Sequence, residues 1–418
     1  MNPAAIESHL RHVLVDWAVI IAMAWLFGRL GRKLKQPLAV GEILAGILLG
    51  PSALGALWPE AGQYLFRSET QQSLQLLGKL GLILLLFQVG MEFDYGHLRT
   101  RSRTVVAVSA MGIAAPFLCG LAVGPWLHRH FAAELPALGF QLFLCIALSI
   151  SALPIMGRIL LEMRLERTPI GAMGISSAAI DDVIGWILLA VASAVVSSGF
   201  DGRALALQVG GILAFLGLLR WIVGPLLRRW WRASYARHHG LTASFMTLLL
   251  ITLFGCSLIT NALGIFAIFG AFLLGVTLHQ EVELVRAWRQ RFADFVLVAL
   301  VPIFFTNTGL NTNIGSLGTA LAWTGAGVVL LAAVAGKLGG CFLGARLTGL
   351  DSRSAGCVAA LMNTRALMAL VAINIGRDLG LLNQTLFTML VLMALITTAM
   401  TGPLLRWWLP RDLRAQVP

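Results

Sequence analysis

Apolar runs of membrane length alternate with short polar connections along the whole chain, and this alternation predicts helices. Thirteen runs are compatible with helices that cross a bilayer in about 20 residues. Their limits are 13–28, 38–52, 71–91, 104–126, 137–160, 170–197, 204–227, 241–260, 263–279, 287–310, 317–345, 354–376 and 383–405. The second and ninth are short.

The connections predict a direction. Every second one is basic: Arg29, Arg32, Lys33 and Lys35 follow span one, Arg99, Arg101 and Arg103 follow span three, and Arg228, Arg229, Arg232 and Arg237 follow span seven. The alternate connections hold isolated arginines such as Arg67, Arg129 and Arg203. Basic loops stay on the cytoplasmic side, so the N-terminus is expected outside and the C-terminus inside. With that polarity, six spans (13–197), a linker helix (204–227) and six more (241–405) make the second six-span repeat run inverted. Such repeats place substrate sites near the bilayer midplane, on broken helices.

Composition agrees. With 58% hydrophobic and only 12% charged residues in 418, the chain has too little charge to cover a soluble fold of that size. The expectation is an all-α polytopic membrane protein, a single transport domain over residues 1–418 with no cytosolic regulatory domain. A net charge of +12 suits nucleic acid in general, but here the basic residues cluster between apolar runs, as at an anionic membrane face. No nucleic-acid partner is expected. The five cysteines lie in or at the ends of apolar runs without paired spacing and read as small buried side chains. The eight histidines lie at or near loop ends.

Charge inside the spans carries the candidate chemistry. Lys79 and Arg220 lie near span ends, within reach of water. Lys337, in "VAGKLGGCFLG", and Arg365, in "LMNTRALMALVAINIG", lie deeper. Asp181 and Asp182 sit side by side near the middle of span six. Each charge at a helix centre costs about 2.5–3.5 kcal/mol even on the lenient insertion scale. Two adjacent carboxylates do not both ionise there unless a cation intervenes. Neighbours on a helix point about 100° apart. One carboxylate is therefore expected to pair with Lys337 while the other serves as an exchangeable site for a proton or a cation.

Two spans look broken. In "ALSISALPIMGRIL", Pro154 removes a backbone donor beside Ser149 and Ser151, whose hydroxyls can serve freed backbone groups or a dehydrated ion. In span twelve, Asn363, Thr364 and Arg365 are consecutive polar residues between apolar flanks.

In order along the chain, "QPLAVGEILAGILLGPSALG", "LFQVGMEFD", "SISALPIMGRILLEMRLERTPIG", "AAIDDVIGW", "VPIFFTNTGL", "GKLGG" and "MNTRALMALVAINIG" resemble the monovalent cation:proton antiporter-2 family. That family includes bacterial sodium/proton antiporters and plant cation/proton exchangers. The resemblance implies a secondary transporter, not an enzyme, that exchanges a monovalent cation, Na+ first, for protons by alternating access. It implies spans five and twelve as crossing discontinuous helices. A core of spans four to six and eleven to thirteen would move against a dimerisation domain of spans one to three and eight to ten. It also implies a homodimer in the cell (inner) membrane and no cofactor beyond the transported Na+ or K+ and H+. Asp182 would carry the cation or proton, Asp181 would pair with Lys337, and Ser151 stands where relatives usually carry threonine. Ala366 and Ala369 depart from the family's usual glycine and glutamate after the "NTR" triplet. The Asp pair favours exchange that moves net charge. A K+/proton antiporter or K+ efflux protein is the alternative, and an organic-anion symporter of similar architecture a more distant one.

Overall fold

The computed structural model describes residues 3–34, 36–92, 102–165, 168–198, 202–263 and 266–410. Lys35, Arg99 and Arg101 of the charge pattern lie outside them. All regular structure among the described residues is helical. The chain begins with α1 (Pro3–Lys33), α2 (Leu38–Leu49), the short α3 (Leu54–Leu57) and α4 (Pro59–Tyr64), then α5 (Ser68–Met91) and α6 (Ser102–Phe131). Next come α7 (Ala137–Ser149), α8 (Leu153–Glu162), α9 (Pro169–Ser198), α10 (Gly202–Leu218) and α11 (Gly224–His238). They are followed by α12 (Ala243–Ala262), α13 (Ala267–Leu278), α14 (Val282–Trp288) and α15 (Val301–Leu310). The chain ends with α16 (Ala320–Leu347), α17 (Ser352–Met362), α18 (Ala366–Asp378) and α19 (Gln384–Trp408).

Ten of the described helices are long and apolar enough to cross a membrane, or eleven if α17 and α18, bent by 40° at their break, count as one span. The expected thirteen is not reached by this measure. Spans five and nine fall short because they appear as α7 with α8 and as the 12-residue α13. Span one starts earlier than its apolar run. Its polar first turns find partners on α5: His9 Nε2 bonds Ser73 Oγ at 2.9 Å, and Thr70 Oγ1 donates to Asp16 Oδ2 at 2.8 Å. His9 and His12 are therefore helical, not loop residues, and His12 is buried.

The chain divides into two compact units. One comprises Met1–Trp17, Ser68–Asp94 and Ala190–Phe304. Here α5 and α13 cross backbone to backbone. A Cβ on Gly90 would stand 2.3 Å from Phe272 O, and one on Gly275 only 2.2 Å from Phe87 O. Trp288 stacks on Phe292 and meets Phe87 edge-on. Between α14 and α15 the chain is π-helical over Arg289–Ala293 and Val296–Leu300, and Trp17 Nε1 donates to Ala299 O at 2.8 Å.

The other unit comprises Ala18–Arg67, Tyr95–Leu189 and Phe305–Pro418. It holds spans four, five and eleven to thirteen together with span six up to Leu189. It also takes α2 and α1 from Ala18 onward, both of which the resemblance grouped with span three. For α2 close packing explains this: a Cβ on Gly46 would stand 2.1 Å from Thr306 O. In the same unit α6 and α16 run antiparallel through a stripe of small residues. Gly336, Gly340 and Gly344 face Pro116, Met111 and Ala107. Small residues four apart let membrane helices approach closely. A Cβ on Gly340 would lie 2.4 Å from Met111 O. Gly340→Ala is therefore expected to lower thermal stability by about 1–3 kcal/mol, read as a lower melting temperature in detergent. The control Gly327→Ala, whose Cβ meets nothing within 4 Å, should leave it unchanged.

Candidate functional site

Two broken helices meet in the second unit. Helix α7 ends at Ser149 and α8 starts at Leu153, while α17 ends at Met362 and α18 starts at Ala366. The breaks are tied to each other: Ala152 N donates to Thr364 O at 2.8 Å, and Ser151 Oγ bonds Met362 O at 2.9 Å. Pro154 lies in the first turn of α8, where a missing N–H leaves no helical bond unmade. It marks the restart of the helix after the break.

Broken helices leave carbonyls without partners at one end and N–H groups at the other. Two buried cations close the end of α7. Lys337 Nζ donates to Ser149 O at 2.5 Å. The Arg365 guanidinium donates to Leu148 O, to Ala147 O at 3.2 Å and to Ala333 O at 2.8 Å. Positive charge at a helix C-terminus also complements its dipole. Both side chains are fully buried, unlike the exposed Lys79 and Arg220.

Helix α9 brings the carboxylates to this crossing. Asp181 Oδ2 takes Lys337 Nζ at 2.5 Å and the Ser151 hydroxyl at 2.8 Å. Asp182 takes the backbone N–H of Leu153, at the start of α8. Its position at a helix N-terminus suits an anion, but among the described residues it forms no ion pair. Both aspartates are almost sealed, at 1% and 2% exposure. Oδ1 of Asp181, Oδ1 of Asp182 and Oδ1 of Asn363 are all buried acceptors with no hydrogen-bond partner. Of the two carboxylates, Asp181 has a fixed counter-ion and Asp182 has none among the described residues.

The remaining sequence candidates divide in two. Ser149 contributes its carbonyl to Lys337, while its hydroxyl turns back to Cys145 O at 2.7 Å and to Ile113 O at 3.2 Å. Thr364, Asn363 and the backbone of Arg365 lean on α19. Thr364 Oγ1 meets Thr401 Oγ1 at 3.0 Å, Asn363 Nδ2 reaches Thr397 O at 3.4 Å, and Thr398 Oγ1 accepts from Arg365 N and Ala366 N. Thr398 thus caps α18 from a neighbouring helix. Sequence reasoning missed this trio, although threonines at 397, 398 and 401 on one face of an apolar helix were the available signal. The Leu153 N–H was invisible in the sequence, since any residue could supply it.

Comparison with known proteins adds a separate line. Residues 18–411 match the family described as "Sodium/hydrogen exchanger, transmembrane". The Na(+)/H(+) antiporter NhaS4 of Synechocystis is 34% identical over 394 residues, covering 94% of this chain and 96% of that protein. Cation/H(+) antiporter 20 of Arabidopsis thaliana is 33% identical across 94% of this chain, which spans only 48% of that longer relative. The structure of the sodium proton antiporter MjNhaP1 from Methanocaldococcus jannaschii superposes with a TM-score of 0.67 at 14% identity, covering 98% of this chain and 99% of that one. That likeness concerns the fold.

Proposed function

Because the chain belongs to the transmembrane sodium/hydrogen exchanger family, we propose that it exchanges Na+ for protons at Asp182. It is a multi-pass membrane protein and a secondary transporter rather than an enzyme. The observation that carries the site assignment is the asymmetry of the two carboxylates. Asp181 is neutralised by Lys337, whereas Asp182 has one backbone N–H and a partnerless oxygen. A buried carboxylate in that position is satisfied by a proton or by a small cation, and the two compete. Ser151, held by Asp181, can turn its oxygen toward the cation, and the Asn363 carbonyl oxygen is a further acceptor without a partner.

At 2% exposure Asp182 cannot trade ligands with water in this conformation. Exchange therefore requires at least one other, and alternating access supplies it. The unit that carries the two broken helices is the moving core, and the inverted six-span repeats give its two states related geometries. The protein works as a homodimer in the cell membrane with its N-terminus outside and C-terminus in the cytoplasm. If Asp181 takes a proton when its contact with Lys337 opens, two protons move per cation. Membrane potential then contributes about 2.3 kcal/mol per elementary charge per 100 mV.

The test is proton-linked fluorescence in proteoliposomes, with each alkali cation added in turn and potential clamped by valinomycin and K+. Addition of Na+ is expected to dissipate a pH gradient, faster when the clamp favours the net charge movement. A rate indifferent to potential establishes one-for-one exchange. A response to K+ but not Na+ in vesicles without valinomycin transfers the assignment to K+/proton exchange.

A further inference from the structure

Helix α11 and the start of α12 form a hairpin whose base opens into a cavity of about 410 Å³, remote in sequence from every residue of the Asp182 site. Its lining from α11 is Trp230, Ala233, Ser234, Arg237 and His238. These residues are spaced three and four apart and form one face of the helix. The lining from α12 is Thr242, Ser244 and Phe245.

Charge is sorted around α11. Arg232 and Tyr235 point to the other side, where Arg232 Nη2 bonds Glu281 Oε1 at 2.6 Å and Tyr235 reaches Glu283 at 3.4 Å. The nearby carboxylates are engaged there. The cavity is lined by Arg237, His238 and three hydroxyl residues, with no acid. Thr242 Oγ1 accepts from Phe245 N at 3.3 Å and meets Ser234 Oγ at 3.2 Å. The N–H groups of Ala243 and Ser244, in the first turn of α12, have no place in the helical ladder and add to the positive end of the helix dipole. His238 Nδ1 donates to Ser234 O at 3.2 Å, which leaves its Nε2 edge available. One wall is apolar: Phe245 is buried, while Trp230 is 55% exposed and Trp221, further along the same helical run, 75%. Exposed tryptophans beside arginines are the pattern of a membrane–water interface.

We propose that this cavity binds the phosphate headgroup of an anionic phospholipid, with Arg237 and the first turn of α12 on the phosphate and Trp230 along the glycerol and upper acyl chain. The inference rests on these helices crossing a bilayer and is independent of which ion Asp182 carries. Charge complementarity selects an anion, and the tryptophan wall selects an amphiphile over a free ion.

The test uses the purified full chain in detergent, heated with phosphatidylglycerol, phosphatidylcholine, inorganic phosphate or glycerol 3-phosphate. Phosphatidylglycerol is expected to raise the melting temperature, with phosphatidylcholine and the two soluble phosphates without effect at matched concentration. Arg237→Ala should raise the half-saturating phosphatidylglycerol concentration about tenfold, the loss of one charge-assisted hydrogen bond. Arg289→Ala, an exposed arginine outside the cavity, should not. Ser244→Asp keeps the helix intact, because an acid suits its first turn, and should also repel the lipid. Equal stabilisation by phosphatidylcholine overturns the proposal, as does an equal effect of inorganic phosphate, which marks a free-anion site. Unchanged phosphatidylglycerol dependence in both Arg237→Ala and Ser244→Asp overturns it too.

Discussion

Asp182→Asn is expected to reduce Na+-driven proton movement in proteoliposomes by at least about 100-fold while leaving the folded protein intact. The substitution keeps the shape of the side chain and an oxygen able to accept the Leu153 N–H. It removes a buried carboxylate that has no ion-pair partner among the described residues, so no lysine or arginine loses its counter-ion. An amide neither takes up a proton at accessible pH nor supplies the charge that compensates a dehydrated cation. Expression, elution volume and melting temperature should stay close to those of the parent. Asp181→Asn should behave differently, since it leaves Lys337 buried at 0% exposure without its carboxylate, and a loss of stability should precede any loss of exchange. Near-parental exchange in Asp182→Asn alone removes the central residue from the mechanism.

Why some of this was legible in the sequence follows from the cost of charge in an apolar medium. Asp181, Asp182, Lys337 and Arg365 stand out because a membrane-buried charge requires a reason, and the structure brings all four to one crossing. The break in span five was marked by Pro154 and that in span twelve by three polar residues in a row, both local signals. Helix boundaries were less legible where polar residues find distant partners. Asp16 and His9 prolong α1 because Thr70 and Ser73 receive them, and no pattern within span one announces that. The placement of α2 with the broken helices depends on Gly46 lying against Thr306, a contact between segments about 260 residues apart. Arg365 is the instructive case. Its polarity was visible, but its task, closing the carbonyls of α7 alongside Lys337, is a property of two distant segments crossing in space.

That shared task sets the expectation for Lys337→Ala, the variant expected to be most damaging to the fold. The lysine makes two contacts at 2.5 Å, one to Asp181 Oδ2 and one to Ser149 O. Its removal leaves a carboxylate buried at 1% exposure with the Ser151 hydroxyl as its remaining side-chain partner, and removes the donor that Lys337 gives to the last carbonyl of α7. Breaking a buried pair from one side costs about 3–5 kcal/mol, because the surviving charge is uncompensated. The double variant Asp181→Asn/Lys337→Ala removes that charge and should recover part of the loss, whereas two independent sites would simply add. Function separates the pair's two roles. If the opening of this contact carries the second proton, the double variant should keep exchange at Asp182 but lose its dependence on the valinomycin-clamped potential. Unchanged melting in Lys337→Ala would show that the contact is not a structural tie, and full potential dependence in the double variant that it is not part of the coupling.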